Sequence, residues 1–160
     1  MIHMGTLFEP FFWVLNRVLS NKYPFPTVMA YIQHYNEKNE FDGIVLIDRA
    51  IPPLGWSMPG GFVEYNESAE EAIIRECKEE TGLDIEKETQ FHAYSFCKTN
   101  EKVHTIEIVF IAKAKGAFAS SSDAKNIGLF LPGEWPSLAL NQERILMDIA
   151  AFEKTGERPR

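Results

Sequence analysis

The sequence predicts an α/β fold of the α+β kind, a mixed β-sheet with helices packed against it, within one globular unit. Three observations carry that expectation. β-Branched and aromatic runs alternate with capped helical stretches, and no strand–helix unit repeats. The 160 residues, 45% hydrophobic and 24% charged, have the ordinary globular mixture, and a chain of that length buries roughly two thirds of its unfolded surface. No internal repeat and no Pro/Gly/Ser-rich linker divides it.

The first element is an apolar stretch, Phe8 to Leu19, which carries Phe11, Phe12, Trp13, Val14, Leu15, Val18 and Leu19. It is too short to span a bilayer, which takes about 20 apolar residues, and Glu9, Pro10, Asn16 and Arg17 interrupt it. Neither the basic leader nor the small-residue cleavage site of a signal peptide is present in it. Residues 1–24 are therefore expected to form an amphipathic helical extension ahead of the domain at 25–160, covering an edge of its own domain or lying on a partner subunit or a membrane surface. Pro24 and Pro26 are expected to end that helix.

Thr27 to Tyr35 and Gly43 to Ile47 read as strands joined by a polar loop. Pro52, Pro53, Gly55, Pro59, Gly60 and Gly61 then crowd together, a density expected to leave a shaped loop with no regular element. Ser68 opens a helix through a capping box with Glu71, and Gly82 closes it. Further strands are expected at Gln90 to Cys97, Val103 to Ala114 and Ile127 to Leu131. A loop is expected at Gly116 to Asn126 and a last helix from about Asn141 to Glu153.

The net charge of −7 excludes a basic nucleic-acid grip. Cys77 and Cys97 form neither a CxxC pair nor a disulfide framework, which points to a reducing, cytoplasmic setting.

The helix after Ser68 breaks a local rule. At about 100° per residue, Glu76, Glu79 and Glu80 share a stripe with Ala69, Ala72, Ile73 and Leu83, while Lys78 and Glu71 point the opposite way. Carboxylates on a core-facing stripe repel one another and lose hydration unless a cation neutralises them. A hard divalent ion with oxygen ligands, Mg²⁺ or Mn²⁺, meets that need, and Arg75 can brace the cluster by pairing with Glu79 at i and i+4. The bland alternative, a solvated acidic face, is disfavoured because the solvated face lies elsewhere on the wheel.

The run Gly61 to Leu83, GFVEYNESAEEAIIRECKEETGL, resembles the Nudix box of the Nudix hydrolases, Gx5Ex7REUxEExGU with U a bulky aliphatic residue. Gly61, Glu67, Arg75, Glu76, Glu79, Glu80 and Gly82 all match, and Cys77 stands at the first U position. At ordinary residue frequencies such a coincidence has a probability on the order of one in a billion per starting point. The approach WSMPGG and the phrase HTIEIVFIAKAKG are also similar to members acting on ADP-ribose.

The resemblance implies an α/β/α sandwich and metal-dependent hydrolysis of a nucleoside diphosphate linked to another moiety. ADP-ribose is then the favoured substrate, with AMP and ribose 5-phosphate as products. It implies Glu76, Glu79 and Glu80 as metal carboxylates, the Gly60 carbonyl as a loop ligand, and Glu67 as an outer or loop-fixing residue. One helix carboxylate, Glu76 first and Glu79 second, is expected to take the proton of the attacking water.

Outside the box, Asp123 and Glu107 are weaker candidates for further ligands, a lone strand charge such as Glu107 being ordinarily exposed. Asn126 stands where an acid often stands in the family. Trp56, Phe96, Phe130 and Trp135 can stack on a base, although core packing is their default. His3, His34, His92 and His104 are isolated. Neither the late proline of one ADP-ribose-specific group nor the tyrosine marking dinucleoside-polyphosphate hydrolases is present. That leaves two alternatives to ADP-ribose hydrolysis: pool cleaning of oxidised nucleoside triphosphates, or a nucleotide-sensing domain without turnover. The expected partner is a nucleotide-diphosphate small molecule, with a homodimer compatible with the family.

Overall fold

The computed structural model describes residues 24–95, 104–119, 124–139 and 142–159. The expected helix within residues 1–24 falls outside this description, save its last residue, as do Phe96, Cys97 and Asp123. The elements in chain order are β1 (Phe25–Tyr35), β2 (Phe41–Arg49), β3 (Trp56–Ser57), β4 (Gly60–Phe62), α1 (Ala69–Thr81), β5 (Ile85–Ser95), β6 (Thr105–Lys115), β7 (Ala124–Phe130) and α2 (Gln142–Thr155).

They form one mixed sheet. Its path is β3-β2-β1-β6-β5, with β4 on β1 and β7 on β2, and among the pairings of these strands only β1–β6 is parallel. β1 is central because it is apolar on both faces. Val28, Ala30 and Ile32 pack with Ala72, Ile73 and Cys77 of α1, while Met29 and Tyr31 pack with Ile145, Leu146 and Ile149 of α2. The result is a helix–sheet–helix sandwich whose period-2 alternation assigns each face its helix.

Several boundaries differ from those expected. β1 starts at Phe25, two residues earlier than expected, and takes in Pro26, which near the strand's start gives up little of the ladder. The Pro/Gly-dense loop holds two short strands after all. β4 survives because Gly60 and Gly61 lie directly against β1, in register with Met29 and Val28. β5 begins at Ile85, earlier than its apolar run suggests, because two bulges keep the polar start paired with β6. β7 likewise takes residues 124–126 from the expected loop by pairing with Asp48 and Arg49 of β2.

α1 starts as its sequence predicts. The Ser68 hydroxyl accepts from the Glu71 N–H at 3.2 Å, and the Glu71 carboxylate accepts from the Ser68 N–H at 2.8 Å. Gly82 closes the helix at φ 75°, a left-handed conformation that suits glycine. Ser68→Ala removes the cap and is expected to lower stability by about 1 kcal/mol. A urea midpoint equal to that of the parent chain would contradict the role given to the capping box.

Among the described residues, no helix is long and apolar enough to cross a membrane.

Candidate active site

The site is built where α1 passes the loop between β3 and β4. That loop is held at each step. Trp56 donates its N–H to Ser137 and accepts from Ala139 at 2.8 Å, in a short parallel bridge. Met58 donates to the Gln142 side chain, Pro59 accepts from the Ala30 N–H at 2.9 Å, and the Gly60 N–H donates to Glu80 Oε2 at 2.8 Å. Glycine at 60 and 61 is a matter of space. A Cβ on Gly60 would overlap the Val28 carbonyl oxygen and come within 2.9 Å of Met29 Cα, and one on Gly61 would strike the Glu76 carboxylate.

Arg75 is the hub of the carboxylates. Its guanidinium donates to both oxygens of Glu67 (2.6 and 3.1 Å), to Glu76 Oε1 (2.8 Å), to Glu79 Oε2 (3.3 Å) and to the Phe62 carbonyl (3.0 Å). Glu67 also accepts from the Glu64 N–H at 2.6 Å, so it ties the approach loop to the helix. Arg75 holds the Glu67 carboxyl below the usual carboxylate range. At Glu76 burial outweighs the same arginine and pushes the carboxyl up.

The helical wheel is only partly obeyed. The Glu76 side chain is 15% exposed and the Glu79 side chain 56%, so Glu79 sits on the rim rather than on the inward face. The reason is its place at the stripe's edge, turned away from the buried face of Ala72, Ile73, Cys77 and Thr81. Arg75→Met is expected to cost about 1–3 kcal/mol, because it strips charged hydrogen bonds from half-buried carboxylates. Thermal melts of the two proteins in chelator measure it.

The other candidates are dispersed. Glu107 is 5% exposed, not the surface charge a strand end suggests, because β1 and β5 flank it on β6 in register with Thr27 and Tyr94. Asn126 reaches Asp48 at 3.5 Å. Trp56 meets Phe130 edge-on at 4.9 Å, and both pack with Trp135 against the α2-side core. His34 is buried against the Gly116 carbonyl, and His104 bonds Ser95. Sequence reasoning missed Gln142. Its signal was a glutamine at the head of the stripe Ile145, Leu146 and Ile149.

Among the described residues no three His, Cys, Asp or Glu side chains are already drawn together as a metal cage, since the carboxylates lean on Arg75 and the Gly60 N–H. Their donor chemistry nonetheless fits Mg²⁺ or Mn²⁺. Carboxylate oxygens at successive turns, one of them partly buried and short of hydration, suit a hard cation.

Comparison with known proteins bears on the family and the fold. Residues 24–147 match the family described as NUDIX domain. The chain is 39% identical over 108 residues to an ADP-ribose pyrophosphatase of Methanocaldococcus jannaschii, covering 66% of this chain and 64% of that protein, so less than two thirds of that relative's length is matched. It is 34% identical over 113 residues to a putative 8-oxo-dGTP diphosphatase of Bacillus subtilis, covering 69% of this chain and 72% of that protein. A crystal structure of a NUDIX hydrolase from Nitrosomonas europaea shares the fold at TM-score 0.69 and 22% identity, over 86% of this chain and 76% of the other.

Proposed function

The chain belongs to the Nudix family, and from that premise we propose that it hydrolyses a phosphoanhydride bond in a nucleoside diphosphate linked to another moiety, with ADP-ribose the favoured substrate. The observation that carries the proposal is the partly buried Glu76 carboxylate, bonded by Arg75, set against the side-chain-free surface of Gly61 and pushed towards a higher pKa. Support for the substrate comes from the relative named for that activity.

A water oxygen bonds to phosphorus while the bridging P–O bond breaks, which releases AMP and ribose 5-phosphate. Glu76 takes the proton from that water, its carboxylate being held by Arg75 against the open surface of Gly61. Glu79 is the second candidate for this role. Arg75 aims Glu76, Glu67 anchors Arg75, and the Gly60 N–H orients Glu80. Glu76, Glu79 and Glu80, with the Gly60 carbonyl, would hold Mg²⁺ or Mn²⁺, which when bound neutralises phosphate charge and lowers the pKa of water. An acidic chain needs that neutralisation even to bind an anionic nucleotide.

A second reading, release of pyrophosphate from an oxidised nucleoside triphosphate, is favoured by the relative named as a putative 8-oxo-dGTP diphosphatase. The test incubates the chain and its Glu79→Gln variant with Mg²⁺ and a panel of ADP-ribose, NADH, dinucleoside polyphosphates and oxidised dGTP, with product analysis. AMP from ADP-ribose, lost in chelator and reduced in the variant, supports the first reading. Pyrophosphate from the triphosphate transfers support to the second. Nucleotide bound without turnover leaves a sensing domain.

A further inference from the structure

Gln142 is the first residue of α2 and is fully buried. It heads the stripe that continues with Ile145, Leu146 and Ile149, all packed into the α2-side core, where a leucine would fill similar space. An amide in such a position is unfavourable unless its polar atoms are bonded. Here Oε1 accepts the Met58 N–H at 2.7 Å, and Nε2 points to Met29 Sδ at 3.5 Å, a weak acceptor. The strong bond is therefore the one to Met58.

Met58 is the hinge between the two halves of the loop. It lies after β3 and before β4, outside either ladder, so its buried N–H takes a side-chain acceptor. On one side Trp56 is clamped by Ser137 and Ala139, which lead into α2. On the other, two residues on, the Gly60 N–H holds Glu80, and Gly61 leaves space for the Glu76 carboxylate. Between Met58 and Gly60 stands only Pro59, at a bend whose carbonyl accepts from the Ala30 N–H, so Met58 lies two residues from the Glu80 bond and three from Gly61.

We propose that Gln142 is a positioning residue for the hydrolytic site: through Met58 it sets the β3–β4 loop in the place that orients Glu80 and accommodates Glu76. This rests on the hydrolase reading of the site for its effect on rate, but not for its effect on the loop.

The test compares Gln142→Leu, Gln142→Glu and Leu146→Ala in the full chain. Leu146→Ala weakens the same helix face without touching Met58. Amide hydrogen exchange of metal-free protein, read by NMR, is followed at Met58 and Gly60 and normalised to β1 and β6. Gln142→Leu is expected to speed exchange at both loop amides by about tenfold or more, as a local opening does. It should also lower kcat for the best panel substrate by about tenfold or more with KM within about threefold. Gln142→Glu keeps an oxygen acceptor and should restore loop protection and most of kcat, whereas Leu146→Ala should leave both at parent values below its melting range.

Parent-level protection at Gly60 in Gln142→Leu, or the same normalised loss in Leu146→Ala, would overturn the proposal. Should Gln142→Leu fail to fold, Gln142→Asn withdraws the acceptor by one methylene and gives the same reading. A parent chain that turns over nothing sinks the hydrolase reading, while the exchange data still decide the role of Gln142.

Discussion

Glu76→Gln is expected to lower kcat by about 10²–10⁴-fold, the range typical for loss of a general base. The substitution is nearly isosteric, and its amide oxygen can still accept from Arg75 Nη1, so the geometry around the guanidinium survives while the proton acceptor does not. Stability should move the other way. Burial raises the Glu76 carboxyl, so the folded state holds its proton to higher pH than the unfolded state. Stability from this group is then full below the ordinary carboxylate pKa and falls as pH rises from there through the raised value. In chelator, the glutamine variant should lack that fall and gain on the parent towards neutral pH. Equal kcat values in Mg²⁺ would remove Glu76 from the chemistry and leave Glu79 as the base.

Gly60→Ala should produce the largest loss of stability among single-methyl additions near the site. The new Cβ meets main chain, the Val28 carbonyl and Met29 Cα, in the central strand, and the backbone at φ 155° is one that side chains rarely adopt. Overpacking of this kind costs about 1–3 kcal/mol or more, because a rigid neighbour cannot yield. Gly61→Ala separates fold from function. There the atoms nearest the Cβ are the carboxylate end of Glu76, so the chain should fold with a near-parent urea midpoint while kcat drops with the displaced carboxylate. If both alanines melt alike, the distinction between a rigid and a yielding neighbour is wrong for this loop.

Much of the site was legible because it is local. Ser68, Glu71 and Gly82 delimit α1 through bonds within one or two turns, and the Arg75–Glu79 pair follows from i, i+4 spacing. The inward stripe also predicts a buried Glu76. It failed at Glu79, since a wheel gives an angle on a cylinder and says nothing of how far the neighbouring sheet reaches around it. The missing β3 and β4 failed for the opposite reason. Pro and Gly density describes local flexibility, while a two- or three-residue strand exists only because β1 or β2 offers it a ladder.

By itself the sequence determined the family, the carboxylate helix with its caps, and the existence of strands at Thr27 to Tyr35 and Gly43 to Ile47, because these depend on spacing along a single segment. Only the tertiary structure decided that Gln142 meets Met58 across 84 positions, that Glu107 is enclosed between β1 and β5, and that Gly60 lies on Val28. Periodicity specifies which face of an element turns inward, whereas the partner waiting there is chosen by sheet order and register, which no single segment encodes.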